Sequence, residues 1–377
     1  MPQQTGNMNV LHLSSNLKFG GSEQQIINLI EAGNDRGIKN FVLCYSASDL
    51  AARADQIKGE VIPVPKLKPF SITLLRILKA AVKKHGIDII HIHNGKFVLP
   101  YMLSCKLLGL RTPAVFSKKD MSRSSSAMSR IKYNFNRIRV TLCVTEAIKK
   151  RFQEILYPKN HGKLMVLRHG VNIRKLGALQ SEDIHAALNV PPGVTLVGNV
   201  ANHVRAKGLK TLVLTLDYLV NQRGIRNLHF VQIGRFTDLT DELKQMVSQG
   251  NLEPYITFAG FLKNGFAFTS QFDIFLMTSE SEGFPQAALE SFYYKVPVVS
   301  TRAGGIPEVI TDGENGLLAD VFDHKTLGDN IIKILKDQEL REKLIKNSHE
   351  LIMKELNSEV MTDKTIEVYK KVLENER

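Results

Sequence analysis

Tryptophan is absent from this chain, cysteine appears three times, and no apolar run reaches the ~18 residues that a membrane-spanning helix needs. Cys44, Cys105 and Cys143 stand singly in apolar stretches. That spacing excludes a disulfide framework and a thiolate metal site, and it predicts three buried thiols in a reducing, cytoplasmic setting. The stretch Met1 to Met8 has neither a basic region nor an apolar segment, so no secretory signal is expected. There is no Gly-x-Gly-x-x-Gly, which removes the dinucleotide fingerprint and with it a nicotinamide dehydrogenase. Nor does any His, Cys or carboxylate cluster show metal-ligand spacing, and Asp-x-Asp does not occur, so no metal ligand set is expected. With 43% apolar residues the chain is globular rather than disordered.

Acidic residues are scarce in the first half. Residues 1–175 carry 29 Lys and Arg against 10 Asp and Glu, a net of +19, while residues 176–377 carry 21 against 27, a net of −6. Such asymmetry points to an anionic partner for the first half: a membrane surface, a nucleic acid or a phosphorylated substrate. The densest region, 117–151, holds Lys118, Lys119, Arg123, Arg130, Lys132, Arg137, Arg139, Lys149, Lys150 and Arg151 against Asp120 and Glu146. Its only aromatics are Tyr133 and Phe135 and it contains no nucleic-acid-binding motif, so nucleic acid is not an expected partner. The apolar stretch Phe97 to Leu108 is either a core helix, the preferred reading, or an apolar companion to that basic surface.

A length of 377 residues suits two domains. Strand and helix patterns alternate through the first half, with strands expected at 10–13, 40–45, 60–64, 88–93, 114–116, 142–144 and 163–167. Alternation restarts with strands at 195–200, 228–233, 256–258, 274–277 and 296–300, and helices close the chain. This pattern predicts an α/β protein of two tandem Rossmann-like domains with parallel sheets. The expected boundaries are a first domain over 1–170, a linker over 171–193 containing Pro191-Pro192-Gly193, a second domain over 194–357, and an amphipathic terminal helix over 358–377.

Three segments carry candidate chemistry. In Ser279-Glu280-Ser281-Glu282-Gly283-Phe284-Pro285-Gln286-Ala287-Ala288-Leu289-Glu290, Glu282 lies in the loop after a strand and Glu290 lies in the following helix. Pro285 is placed as the first helical residue, where its missing N–H is no loss. Carboxylates near a helix start are usually dipole partners; at the carboxyl end of a strand in an open α/β sheet they also border the place where ligands bind. Gly20-Gly21-Ser22-Glu23 follows the first strand and opens a helix, which reads either as a turn or as a close backbone approach to a phosphate. Arg205-Ala206-Lys207-Gly208 occupies the corresponding place after the strand at 195–200; its cations are surface charge or neutralise a diphosphate.

Taken together, the pattern E-G-F-P-x-x-x-x-E, the Gly20-Gly21 turn, Lys207-Gly208, Asp273, Gly304-Gly305-Ile306-Pro307-Glu308, Asp312-Gly313-Glu314-Asn315-Gly316, Val144-Thr145-Glu146-Ala147 and His169-Gly170-Val171-Asn172 resembles retaining glycosyltransferases of family 4, from about Asn9 to Tyr369. The resemblance implies the GT-B fold, two Rossmann-like domains facing each other across a cleft, with the terminal helix crossing back to the first. It implies a sugar transferred from a nucleoside diphosphate sugar, UDP-sugar ahead of GDP-sugar, to a hydroxyl of a saccharide or lipid-linked acceptor, with retention and without cofactor or metal. Glu282 would lie by the donor sugar, Glu290 would accept from the ribose hydroxyls, and Gly283, Phe284 and Pro285 would shape the donor-binding turn. Gly20 and Gly21 would abut the diphosphate, which Lys207 and Arg205 would neutralise. The family's usual Arg falls at Asn202, and Arg205 is displaced from it. Where many members have a His on the acceptor side, this chain has Ser117-Lys118-Lys119-Asp120. Lys118, Lys119, Asp120, His93 and Asn94 are the acceptor-side candidates, with His91 read as a core histidine. The expected setting is cell-surface polysaccharide or lipopolysaccharide synthesis, in the cytoplasm or peripherally on the inner membrane face. A sugar-nucleotide epimerase of the same fold and, behind it, a basic nucleic-acid-binding protein are the alternatives.

Overall fold

The computed structural model describes residues 8–121 and 126–376; Arg123 of the basic region and the start of the Met1 to Met8 stretch lie outside them. The chain forms two compact units, one reaching to Gly170 and resuming at Ser358, the other Val171–Asn357.

The first unit has a seven-stranded sheet: β1 (Met8–Ser14), β2 (Ile38–Tyr45), β3 (Glu60–Val64), β4 (Ile89–Ile92), β5 (Ala114–Lys118), β6 (Ile138–Cys143) and β7 (Leu164–Val166). Their order is β3-β2-β1-β4-β5-β6-β7, and every pairing is parallel. The second unit has six strands, β8 (Thr195–Val200), β9 (Leu228–Ile233), β10 (Ile256–Gly260), β11 (Ile274–Met277), β12 (Val298–Thr301) and β13 (Leu317–Ala319), also all parallel, in the order β10-β9-β8-β11-β12-β13. Helices cover both faces of such a sheet, so its inner strands read as unbroken apolar runs. β4, β11 and β12 are buried at every residue. β13 escaped the sequence reading because three residues after a turn are too few to show a period.

The connecting helices follow from spacing and punctuation. Helix Ile72–Lys84 buries Leu74, Leu75, Leu78, Ala81 and Val82, one stripe at helical spacing. Helix Val98–Leu108 ends at Gly109, whose left-handed φ of 67° closes the last turn. It buries Val98, Tyr101 and Met102 and leaves Leu107 exposed, so this stretch is core. Thr145 and Asn172 each accept a backbone N–H at the start of their helices, so these two members of the family-like pattern act as helix caps. The stretch expected as a linker instead holds helices Ile173–Ala178 and Ile184–Leu188 and groups with the second unit. Two short helices capped by Asn172 and Asp183 were hidden by the irregular, proline-containing sequence around them. Pro285 is not the first helical residue: its ψ of 68° makes it the cap, and the helix runs Gln286–Tyr293. Cys44 and Cys143 are buried thiols, whereas Cys105 is half-buried. No helix among the described residues is long and apolar enough to cross a membrane.

The terminal helix Ser358–Glu374 belongs to the first unit's core. Met361, Ile366, Val368, Tyr369 and Val372 pack with Val10, Ile89, Val115 and Leu142 from the sheet. Arg36 fastens its start by ion pairs to Glu359 at 2.7 Å and Asp363 at 2.5 Å. Replacing Tyr369 by Ala removes a ring that is 1% exposed and the hydroxyl bonded to His91. A loss of about 3–5 kcal/mol is expected, the range for deleting a buried aromatic ring. Thermal melting checks it, and a melting temperature unchanged from wild type would place the helix outside the cooperative core.

Candidate active site

In both sheets the strand order reverses at the first strand of the unit, between β1 and β4 and between β8 and β11. The loops leaving those two strands part to opposite faces, which opens a crevice at their carboxyl ends. Most of the residues singled out from the sequence lie on these four loops.

In the second unit the loop after β8 and the loop after β11 are latched together. Ala206 O accepts from Glu280 N at 2.9 Å and Ser281 N at 3.2 Å, and Thr278 Oγ1 donates to Lys207 O at 3.1 Å. Gly208 sits at a left-handed φ of 58°, where a Cβ would come within 2.0 Å of Thr278 O. Gly304 has φ of 54° and would bring a Cβ within 2.1 Å of Glu282 O, while Gly305 N donates to that same oxygen at 2.9 Å. Only glycine fits either place. The latch brings Lys207 Nζ to 2.5 Å from Glu282 Oε2, with Ser279 Oγ at 3.4 Å from the same oxygen. Arg205 is 91% exposed and lies 3.7 Å from Glu280, so it has little fixing it. Asn202, at the family's usual Arg position, accepts from Arg235 N at 2.9 Å and shapes the loop. An adjoining cavity of about 350 Å³ is lined by His203, Arg205, Gly208, Lys210, Glu280 and Phe322 among others.

Glu290 lies inside its helix, as expected. Burial pushes its carboxyl up to about 7, against the pull of Gln286 and of the Lys175 charge. Phe284 and Pro285 are buried and form the floor of the turn, and Gly283 is half-buried. Several matching residues turn out to hold structure: Asp273 accepts from Leu196 N at 2.9 Å, Asp312 from Leu318 N at 2.8 Å, and Asn315 from Thr311 N at 2.7 Å.

In the first unit Gly20 and Gly21 lie in the open at the start of helix Gly21–Asn34, which has no side-chain cap. Gly20 has an extended φ of −157°, and a Cβ on Gly21 would meet nothing within 4 Å, so neither glycine is required by the local backbone. Asn94 Oδ1 accepts from Ser15 N at 3.0 Å and Ser15 Oγ at 2.5 Å. Lys118 is buried and paired to Asp120 at 2.6 Å. Lys119 reaches inward, its Nζ 3.3 Å from Ser22 O and Oγ and 3.4 Å from His93 Nδ1. Burial lowers its pKa to about 8, partly opposed by the charge of Glu23.

The sequence did not foresee the cluster behind Lys119. His12 Nδ1 lies 2.9 Å from His93 Nε2, and His12 Nε2 lies 2.9 Å from Asn40 Oδ1. Asn40 Oδ1 only accepts, so His12 carries its proton on Nε2 and accepts on Nδ1. His93 therefore donates through Nε2 and accepts on Nδ1, where Lys119 donates. Burial lowers the pKa of His12 to about 4 and that of His93 well below its ordinary value, so both rings are neutral, as this chain of bonds requires. His91 is bonded to Tyr369 OH at 2.6 Å and Ser117 Oγ at 2.7 Å, a satisfied core histidine. One nitrogen each of His12, His91 and His93 lie within 4.8 Å of one another, a grouping hidden in the sequence because β1 and β4 are distant along it. Each ring nitrogen of the three has a protein partner and Lys119 borders the group, so no set of free lone pairs converges there. Glu23, also missed, is 2% exposed and accepts from Asn16 Nδ2 at 2.5 Å. The one available signal was its place directly after Gly20-Gly21-Ser22.

The basic region is largely engaged within the protein. Arg137 and Arg139 both pair with Glu376, Lys132 donates to Gly95 O at 3.0 Å, and Lys149 pairs with Glu146 at 3.3 Å. Lys118 and Lys119 point into structure, while among the described residues of this region Arg130, Arg139 and Lys150 are exposed.

A family model for glycosyltransferase family 4 matches residues 19–175, and one for group 1 glycosyl transferases matches residues 180–351. The chain is 21% identical to an N-acetyl-alpha-D-glucosaminyl L-malate synthase of Bacillus anthracis, over 82% of this chain and 81% of that one. It is 26% identical to the lipopolysaccharide core biosynthesis glycosyltransferase LpsE of Rhizobium meliloti (strain 1021), over 64% of this chain and 67% of that one. Its fold is similar to the crystal structure of Anabaena Alr3699/HepE in complex with UDP and glucose, with a TM-score of 0.83, 20% identity, and coverage of 97% of this chain and 100% of the other. With a family 4 match over most of its first unit, a group 1 match over most of its second, and two parallel Rossmann-like sheets, the chain belongs to the family 4 glycosyltransferases of GT-B fold.

Proposed function

We propose that this glycosyltransferase moves a hexose from a nucleoside diphosphate sugar, UDP-sugar ahead of GDP-sugar, to a hydroxyl of a saccharide or lipid-linked saccharide, with retention and without a metal ion, in cell-surface polysaccharide or lipopolysaccharide synthesis. The second unit takes the donor and the first the acceptor. The observation that carries the reading is the Lys207–Glu282 pair at the strand reversal, held by two glycines that no other residue could replace. A cation and a carboxylate side by side match the two parts of such a donor: a diphosphate leaving with negative charge, and a sugar ring whose hydroxyls donate. UDP and glucose in the similar HepE structure, and a lipopolysaccharide core role in the LpsE relative, support the donor and the setting.

Glu282 plays two parts in this reading. In the free protein it holds Lys207, and with donor bound it turns to the sugar while Lys207 turns to the phosphates. Glu282→Gln is expected to lower kcat more than tenfold, above ~1.4 kcal/mol of barrier. Its affinity for UDP should hold or rise, because Lys207 loses its competitor. Steady-state kinetics with UDP calorimetry read the two effects apart, and a fall in both together would remove the catalytic role.

Glu290 gives the binding a pH dependence of definite sign. Its carboxyl, raised to about 7, is protonated at pH 6 and has then lost acceptor capacity for ribose hydroxyls. UDP affinity is expected to climb as pH rises through about 7 and to level off above it, with a proton released on binding near neutrality. Glu290→Ala should remove the part of this slope that exceeds the ionisation of UDP's own terminal phosphate, whose second pKa is about 6, and cost roughly 1.5–3 kcal/mol at pH 8, the range for a hydrogen bond to a charged group. Calorimetry across pH, in buffers of differing ionisation enthalpy, checks both; a flat wild-type profile would exclude Glu290 as the ribose acceptor.

Lys207, the exposed Arg205 and backbone N–H groups supply the charge that a divalent ion supplies elsewhere. Turnover is therefore expected to survive exhaustive chelation, and loss in EDTA with recovery on adding Mg²⁺ or Mn²⁺ would overturn the metal-free mechanism.

A further inference from the structure

We propose that the first unit carries a phosphoryl-binding subsite in a lysine-rimmed cavity at the carboxyl edge of its sheet, where it takes a phosphate ester or diphosphate borne by the acceptor; the acceptor part rests on the glycosyl-transfer reading above. The cavity measures about 580 Å³ and is lined by loops following β1, β3 and β4 together with Tyr45 at the end of β2. Four lysines line it: Lys18 after β1, Lys66 and Lys68 after β3, and Lys96 after β4. No Asp or Glu is among the described lining residues. Asp49, on the loop after β2, already accepts from Phe19 N at 3.0 Å.

These lysines differ from the rest of the basic half. Lys118, Lys132, Arg137 and Arg139 are engaged by protein partners, whereas no hydrogen bond or ion pair among the described residues involves the side chain of Lys18, Lys66, Lys68 or Lys96. Four like charges gathered around one hollow repel each other, and an anion in the hollow reverses that term. A lysine ammonium meets a phosphoryl oxygen as a point charge with three donors, and four of them around one hollow suit a group that carries more than one negative charge. The place is also right for an acceptor. Ser15, a lining residue, is bonded to Asn94, and Asn16, another, is bonded to the buried Glu23 beside Lys119.

The rest of the lining is apolar. Leu17, Leu67 and Pro69 join Tyr45, and just beyond them Phe70 is 66% exposed and Ile72 45% exposed. Cations beside exposed apolar surface fit a phosphoryl group attached to a hydrocarbon chain, as in a lipid-linked saccharide. The same cations would also take the phosphate of a soluble phosphorylated saccharide.

The test titrates inorganic pyrophosphate into the full chain saturated with UDP, so that the donor's diphosphate site is already filled. Saturable binding to one site is expected, weakened about tenfold or more in Lys66→Glu/Lys68→Glu, with UDP affinity unchanged. No saturable binding by the UDP-filled wild type, or a double variant equal to it, would overturn the subsite. If UDP itself fails to saturate the protein, the UDP-donor reading falls, while the comparison of wild type and double variant in pyrophosphate still reads the lysines. Farnesyl diphosphate distinguishes the two sources. Binding tighter than pyrophosphate, lost in Phe70→Asp, supports the subsite with a lipid-linked acceptor; equal binding of the two supports it with a soluble phosphorylated acceptor. Vesicles of phosphatidylglycerol held by the wild type and released by the double variant, with no pyrophosphate bound by either protein, would overturn it in favour of a membrane-contacting surface.

Discussion

The reversal of strand order in the second sheet is the constraint on which the catalytic assignment depends. Successive strands added outward in both directions from β8 send the loops after β8 and β11 apart. Chemistry placed there needs loops held to a fraction of an ångström, and loops are poor at that on their own. Here the backbone supplies the stiffness. Ala206 O takes two N–H groups from the opposite loop, Glu282 O is capped by Gly305 N, and glycines at 208 and 304 allow approaches that a Cβ would block. The Lys207–Glu282 pair results from this latch and does not cause it: the side chains meet because their backbones are already fixed.

The first unit meets the same problem with buried side chains. Lys119 and Glu23 are a cation and a carboxylate placed where solvent cannot satisfy them, and burial moves both toward their neutral forms. What makes the arrangement tolerable is a chain of bonds with one direction: Lys119 to His93, His93 to His12, His12 to Asn40. Each acceptor fixes the tautomer of the ring before it, so the last amide oxygen in the core sets how the first cation is held. The terminal helix takes part through Tyr369, bonded to His91, which in turn stacks on His93 with ring centroids 4.0 Å apart. A stretch of chain far along the sequence is thereby part of the frame around His93 and Lys119.

The sequence was legible where structure depends on local pattern. Alternation placed twelve of the strands within a few residues, and the glutamate motif lies, as read, on the loop after β11 and the helix that follows it. It was illegible where structure depends on partners distant in the chain. Nothing local tells that His12 will meet His93, that Arg139 will be claimed by Glu376, or that Lys119 will turn inward while Lys118 pairs with Asp120. Charge counting is limited for this reason. The run 117–151 was the densest in cations and so looked like the binding surface, yet packing engages most of it internally. Lys18, Lys66, Lys68 and Lys96 are scattered in sequence and gathered only by the sheet. Thr145 and Asn172, part of the family-like pattern, close helix ends.

Stability and charge pull against each other at Glu290 and Lys119. A carboxyl raised to about 7 is a group the folded chain would rather keep protonated, so its ionisation destabilises the second unit as pH rises through that value. A lysine lowered to about 8 costs the first unit stability with the opposite sign, as pH falls through 8 and the buried amine takes up its proton. Near neutrality Glu290 is close to half-ionised while Lys119 is mostly charged, and neither ionised form is fully compensated by its neighbours. Residues chosen for packing alone would be apolar at both positions. A partner that accepts a proton from Lys119, or donates hydrogen bonds to Glu290, relieves the strain it meets there. Binding energy and folding energy are coupled at these two positions, and a ligand engaging either one should tighten the unit that holds it.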